Sequence, residues 1–315
     1  MIDEEEMMIN TLDRFIDKTI IKPYIVESDK IIDMHVHSCY SDGVLTPNEL
    51  IRLAIDKRIS TLSITDHDTI EGIKKVDRTD KLIQDTGIEI INGIELSAKR
   101  ETGRMHILGY GIDLENKDLN KKMSELRDIS INSVLTILEQ IKKDNNIRFN
   151  YDDIKDLVNS THHINRVDIA RLCVKNGYAT SVKDAFNRYL IDAYDKTRTT
   201  RTGIYYEECL DLIKRSGGIP VLAHPKTLEL SEKELLKTIR DMMNCGLEGI
   251  EVYHSSHSLE QMKLYRRVAE EYNLLISGGS DFHGKGVKPD IEMGSGKNNN
   301  LNIKTLSLVD RLHNR

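Results

Sequence analysis

Short apolar, β-branched runs recur at residues 31–36, 61–65, 88–94, 105–110, 219–223, 249–253 and 274–277, separated by polar loops and amphipathic stretches. Strands alternating with helical segments predict a parallel sheet or barrel. The helix starts are well marked. Thr46-Pro47-Asn48-Glu49 joins a capping Thr, a Pro at the first helical position and a Glu three residues after the cap. Ser231-Glu232-Lys233-Glu234 and Ser258-Leu259-Glu260-Gln261 repeat the capping-box spacing. Between residues 114 and 205 the alternation stops. There Leu119, Met123, Leu126, Ile129, Val134, Ile137 and Ile141, spaced three to five apart, predict one long amphipathic helix. Shorter helical stretches follow it without a strand, and then the strand units resume. The segment therefore reads as a helical insertion into a barrel, not as an independent domain. Residues 1–29 carry Met8, Leu12, Ile16 and Ile20 at steps of four and predict a helix packed outside the main domain. The expected organisation is an N-terminal helical extension (1–29), a barrel (30–113 and 206–300), a helical insertion (114–205) and a C-terminal helix or tail (301–315).

Composition narrows this picture. With 315 residues, 39% of them apolar, and 19 glycines, the chain can bury a sizeable core, which excludes wholesale disorder. No apolar run reaches the roughly 18 residues of a membrane span. The start, Met1-Ile2-Asp3-Glu4-Glu5-Glu6, is acidic where a secretory signal is basic and then apolar, so a cytoplasmic protein is expected. Four cysteines, at positions 39, 173, 209 and 245, form no short pair and predict neither a disulfide framework nor a Cys-based zinc site. Lys plus Arg number 45 against 51 Asp plus Glu, a net charge of −6, which opposes a face for duplex nucleic acid. Twelve Tyr, four Phe and no Trp argue against an extended base-stacking platform. A short single strand held at a metal site stays compatible, because cations supply positive charge locally.

The ionisable residues gather at strand ends. His35 and His37 close the first run, and in an extended segment i and i+2 face one side, so both imidazoles can grip one ion. Asp42 follows in the loop, and Asp66, His67 and Asp68 follow the second strand. Glu95 ends the third strand, His106 lies in the fourth, His224 ends the fifth, and Asp281 and His283 follow the seventh. In a parallel barrel those ends converge on the face where active sites are built. One His near a strand end is ordinarily structural; this many in one chain are not. Histidine and carboxylate ligands without cysteine suit Zn, Mn or Fe. His254 follows the sixth strand and is a candidate to face a substrate. His257 is a weaker one, since it leads into a helix cap. His162 and His163 lie in the insertion and are expected to face solvent. Asp66 is expected to orient His67 or a neighbouring ligand. No Walker-type phosphate loop is present.

The runs Asp33-Met34-His35-Val36-His37-Ser38, Ser41-Asp42-Gly43, Thr65-Asp66-His67-Asp68, Gly93-Ile94-Glu95, Ala223-His224-Pro225 and Gly279-Ser280-Asp281-Phe282-His283-Gly284 resemble, in order, the motifs of the PHP (polymerase and histidinol phosphatase) family of metal-dependent phosphoesterases. The resemblance implies an α/β fold, a distorted (β/α)7 TIM-like barrel, holding two to three divalent ions (Mn, Zn or Fe). It assigns His35, His37, Glu95 and Asp281 to a first ion. Glu95 would bridge to a second, shared with His106 and His224, and Asp42, His67 and His283 would hold a third. Clustered cations bring the pKa of a bound water toward neutrality and offset charge on phosphoryl oxygens, giving a metal-activated hydroxide. His67, Asp66 and His254 are then the candidate catalytic side chains.

The insertion, through Asn165-Arg166-Val167-Asp168-Ile169-Ala170-Arg171, Asn176-Gly177-Tyr178 and Asp184-Ala185-Phe186-Asn187-Arg188-Tyr189-Leu190, resembles one branch of the family. That branch removes the 3′-phosphate of nucleoside 3′,5′-bisphosphates and trims short RNA from its 5′ end. Asp168 stands where the branch usually has His, and the basic stretch 196–201 departs from its usual continuation. The expected partner is a small phosphorylated substrate, nucleotide or short single-stranded RNA, met by a cap bearing Arg166, Arg171 and Arg188, with His257 as a further substrate-binding candidate. Two alternatives stay open: a small-molecule phosphoesterase (histidinol phosphatase or sugar cyclic phosphate phosphodiesterase) and a non-catalytic accessory module. The sequence leaves the oligomeric state undetermined.

Overall fold

A computed structural model describes residues 30–100, 102–160, 163–197 and 203–315. The predicted helix over 1–29, His162 and most of the basic stretch 196–201 lie outside these residues. All seven predicted strands form: β1 (Ile31–Val36), β2 (Ile59–Ile64), β3 (Glu89–Ala98), β4 (Met105–Tyr110), β5 (Ile219–Leu222), β6 (Gly249–His254) and β7 (Leu275–Gly279). They pair in sequence order as one sheet. The chain after β7 closes the circle against β1, where Asp281 N donates to His35 O (2.7 Å) and His37 N to Phe282 O (2.9 Å). The result is a nearly closed, distorted TIM-like barrel surrounded by helices.

One strand departs from the parallel expectation. β4 runs antiparallel to both β3 and β5. The reason is the connection: only residues 99–104 join β3 to β4, too few for the crossover helix that a parallel neighbour needs. The reversal puts the start of β4 level with the C-terminal ends of its neighbours, pairing His106 with Ser97.

The predicted capping boxes close in all three places, at Thr46 with Glu49, Ser231 with Glu234 and Ser258 with Gln261. Each satisfies two otherwise orphaned N–H groups and fixes where a helix begins after its strand. The long helix runs Lys117–Asn145. Its first turns bury Leu119, Met123 and Leu126 in the barrel's main core. Its later turns bury Val134, Ile137, Leu138 and Ile141 in a second core with Ile169, Leu172, Leu190 and Ala193. One helix thus belongs to both cores. At the barrel's other end Tyr110, Met34 and Leu108 pack with Ile303, Leu306 and Leu308 of the C-terminal segment, which ends in the helix Ser307–His313. Among the described residues no helix is long and apolar enough to cross a membrane.

Candidate metal centre

The strand ends bring nine expected ligands into one cluster, and Glu95 lies at its middle. Its Oε2 faces His35 Nε2, His37 Nε2 and His67 Nδ1, each at 3.2 Å. Its Oε1 faces His106 Nδ1 (2.9 Å) and His224 Nε2 (2.7 Å). The two oxygens of one carboxylate therefore serve separate sets of imidazoles. On the far side of His37, Asp42 Oδ1 stands 3.1 Å from His283 Nε2 and its Oδ2 3.9 Å from His67 Nε2. Asp281 Oδ1 closes the first group, 3.6 Å from His35 Nε2 and 3.3 Å from His37 Nε2.

The donor set fits cations. Two ligands each about 2.1 Å from one ion stand about 3–4 Å from each other, the spacing repeated through this cluster. His35 Nε2 and His37 Nε2 approach to 3.1 Å. His67 Nδ1 is buried and makes no hydrogen bond, although Glu95 Oε2 is 3.2 Å away. That approach is wrong for a proton and right for a shared ion. Among the described residues, four overlapping groups of three or more such donors form without Glu251: His37, Asp42, His67 and His283; His35, Glu95 and His224; His35, His37 and Asp281; and His67, Glu95 and His106.

The backbone is shaped to deliver these side chains. Asp281 (φ 57°), His224 (φ 22°) and Asp68 (φ 53°) all adopt left-handed conformations that non-glycine residues rarely take. Strain of this kind persists where surrounding contacts over-determine it, typically at functional sites.

Outer partners fix the rings. Glu251, in the middle of β6, is fully buried; its Oε1 accepts from His35 Nδ1 (2.9 Å) and its Oε2 from His224 N (2.7 Å). With its Nδ1 proton committed there, His35 turns the Nε2 lone pair to the centre. Burial pushes the Glu251 carboxyl up, but the neighbouring His35 and His254 bring it down to about 2. For His37, burial pulls downward, and Asp281, Glu95 and Asp42 more than reverse that, raising it to about 9. Sequence reasoning missed Glu251. Its signal was an acid in the middle of the otherwise apolar run 249–253. Lys288 was missed as well; its Nζ lies 2.5 Å from Asp281 Oδ2. Asp33 is a third omission. It accepts from Ser280 N and Oγ and from Gly294 N (2.6–2.8 Å), and so anchors the loop that carries Asp281.

Several expected roles move. Asp66 does not meet His67: its oxygens accept from Ser38 N (2.7 Å), Ser38 Oγ (2.6 Å) and Ser41 Oγ (2.6 Å). It braces the loop after β1, and reaches the ligands only through Ser41, whose Oγ is 3.5 Å from His37 Nδ1. His257 is buried behind His254, with Nδ1 donating to Val252 O (2.9 Å) and its ring against Tyr265, out of a substrate's reach. Burial and then His254 hold its pKa down to about 3. His163, expected in solvent, is buried because the insertion docks on the barrel here: its N donates to Tyr40 O (2.8 Å) and its Nε2 is 3.9 Å from Asp68 Oδ2. Arg188 donates to Tyr178 O (2.7 Å) and pairs with Asp184 inside the insertion. Arg171 bonds to Asp168 and to the loop carrying Asp42 instead of facing outward. Arg166 lies 4.0 Å over the ring of Tyr194. His254 is buried, with Nε2 3.2 Å from Asp281 Oδ2.

Known proteins bear on this geometry. Residues 33–255 match the PHP domain family. A 5′-3′ exoribonuclease of Haemophilus influenzae is 31% identical over 257 residues, covering 81% of this chain and 90% of that protein. A 3′,5′-nucleoside bisphosphate phosphatase of Chromobacterium violaceum is 29% identical, covering 81% and 88%. A solved structure from Chromobacterium violaceum, an amidohydrolase with bound sulfate and no metal, is 27% identical with a TM-score of 0.74, covering 90% of this chain and 96% of that one. With the family matched across both halves of the barrel and the ligand motifs converging at its mouth, the chain belongs to the PHP domain family and is a metal-dependent phosphoesterase, a phosphoric ester hydrolase.

Proposed function

We propose that the substrate is nucleotide-like: the 3′-phosphate of a nucleoside 3′,5′-bisphosphate, short RNA taken from its 5′ end, or both. The observation that carries the reading is the helical insertion docked beside the ligand cluster, with Arg166 on the helix Arg166–Lys175, in a chain similar to proteins named for those two activities. In this reading His35, His37, Glu95 and Asp281 hold one ion, Glu95 with His106 and His224 a second, and Asp42, His67 and His283 a third, from among Mn, Zn and Fe. Bound there, the ions supply a water deprotonated near neutral pH and positive charge against the phosphoryl oxygens.

The chain's own groups do the rest. His67 and His106 have the most exposed imidazoles of the cluster, 18% and 17% against 0% for His35 and His37, so the ester approaches from their side. His254 Nδ1 accepts from Ser256 N (3.0 Å), which leaves the proton of the neutral ring on Nε2, beside Asp281 Oδ2. That buried proton faces the carboxylate and not the approaching ester, so we assign it to steadying Asp281 as a ligand. Arg166, held across Tyr194, is the group for a phosphate remote from the one cleaved; a planar guanidinium grips phosphate with two parallel hydrogen bonds.

A phosphate-release screen over nucleoside bisphosphates, histidinol phosphate, a sugar cyclic phosphate and short RNA tests the substrate class. Turnover confined to histidinol phosphate or the cyclic phosphate would overturn the nucleotide reading. Arg166→Ala sharpens the test. It should cost about 2–3 kcal/mol in kcat/KM for adenosine 3′,5′-bisphosphate and leave p-nitrophenyl phosphate hydrolysis nearly unchanged, since only the former carries a second phosphate. Equal losses on both substrates would make Arg166 structural.

A further inference from the structure

The helical insertion meets the mouth of the barrel through one side chain with an unusual set of acceptors. Arg171, on the helix Arg166–Lys175, donates through one terminal nitrogen to both Asp42 O (3.1 Å) and Gly43 O (3.0 Å). Its other terminal nitrogen donates to Asp168 Oδ1 (3.2 Å). Asp168 is itself buried and closes the capping box of that helix, accepting from Asn165 N (2.8 Å). The guanidinium is thus oriented by its own helix and grips the backbone on which Asp42 stands. A second tie lies close by. His163 N donates to Tyr40 O (2.8 Å), and His163 Nε2 faces Asp68, the residue after His67. The insertion therefore reaches the two loops that carry Asp42 and His67.

The turn that carries Asp42 is also held from within, Ser41 N and Gly43 N donating to Ser38 O (3.2 and 3.0 Å) and Val44 N to His283 O (3.0 Å), while the carbonyls of Asp42 and Gly43 are taken by Arg171. Asp66 holds Ser38 and Ser41, upstream of Asp42. Gly43 is packed so closely that a Cβ would fall 2.2 Å from His37 O, so the turn itself is fixed, and its carbonyls point to Arg171. We propose that Arg171 is a positioning residue for the cation held by Asp42, His67 and His283, coupling that ion to the docking of the insertion. A lysine cannot replace it, because a single ammonium has no planar fork to hold Asp168 while spanning two carbonyls. Coupling is reciprocal. An ion that needs the insertion docked must in turn hold the insertion down. The inference rests on the three-group reading of the donors given above.

Equilibrium dialysis of the full chain against Mn(II) reads the classes of bound ion, and hydrogen exchange reads the docked helix. Arg171→Lys should weaken one ion equivalent by about 10–100-fold, the range seen when an outer partner of a metal ligand is lost, with the remaining ions bound as before. Arg171→Ala should do the same if it folds; Arg171→Lys, which keeps the charge, decides the matter if it does not. In the wild type, saturating Mn(II) should slow amide exchange over residues 166–175, and in Arg171→Lys that slowing should be lost. Unchanged binding in Arg171→Lys, or an equal loss of every class in a variant with native circular dichroism, overturns the proposal. A wild-type chain that binds no ion of the third class would instead overturn the donor reading on which it rests.

Discussion

Glu95 shows how much one side chain carries here. A carboxylate whose two oxygens face His35, His37 and His67 on one side and His106 and His224 on the other screens neighbouring cations from each other. Glu95→Gln should lower kcat by several orders of magnitude with the circular dichroism spectrum intact. Asp68→Asn should cost far less, since the Asp68 carboxylate accepts from Ser97 N (2.8 Å) and faces His163, neither of them an expected ligand, and its backbone bond to Glu95 O survives the change. Equal losses would break this ranking. Glu251→Gln belongs between them: it keeps the shape but weakens the orientation of His35, so metal affinity should fall by about 10–100-fold in the same dialysis. At this scale the ligands were legible because His-x-His and Asp-x-His at strand ends are rare combinations. Glu251 was not, because nothing in one sequence says which face of β6 turns inward. Arg171 was legible as an anion-binding group and is in fact taken up by backbone carbonyls, a partner that leaves no sequence signature.

Elements were read more fully than their directions. Alternation and capping boxes predict seven strands and the helices after them, and these form. The periodicity of β4 is the same whichever way it runs, so its reversal was hidden; only the short connection 99–104 hinted at it. The insertion's second core was likewise a matter of tertiary packing. Ile169, fully buried in that core on the helix that carries Arg166 and Arg171, tests it. Ile169→Ala should destabilise the insertion by about 2–5 kcal/mol, read as a lower urea midpoint, while the strands of the barrel keep their hydrogen-exchange protection. Loss of protection spread evenly through β1–β7 would show that the two cores unfold as one.

For the whole molecule, the centre gathers Asp42, Glu95, Glu251 and Asp281 with seven imidazoles, all but His67 and His106 buried, where charge must be balanced by partners. Cations that bind the folded barrel and not the unfolded chain add stability by mass action. Each ion at a hundredfold excess over its dissociation constant contributes about 2.7 kcal/mol. Thermal unfolding should shift upward with Mn(II) and downward after chelation. A Tm indifferent to both would contradict the cluster as a metal site.

The reversed strand has a geometric result beyond the site. Because β4 ends at the barrel's lower rim, beside the start of β5, the chain leaves for the insertion at the end opposite the ligands. It must climb back. The 29 residues of Lys117–Asn145 rise about 43 Å at about 1.5 Å each, roughly twice the length of the six-residue strand it passes. That helix works as a ruler: its number of turns sets how far along the barrel the insertion's own core lies. Adding a single residue would swing that core about 100° around the helix axis, whereas a whole turn would keep its facing and shift it by about 5.4 Å. A barrel of unchanged chemistry can in this way meet its insertion at a different height by changing the length of one helix.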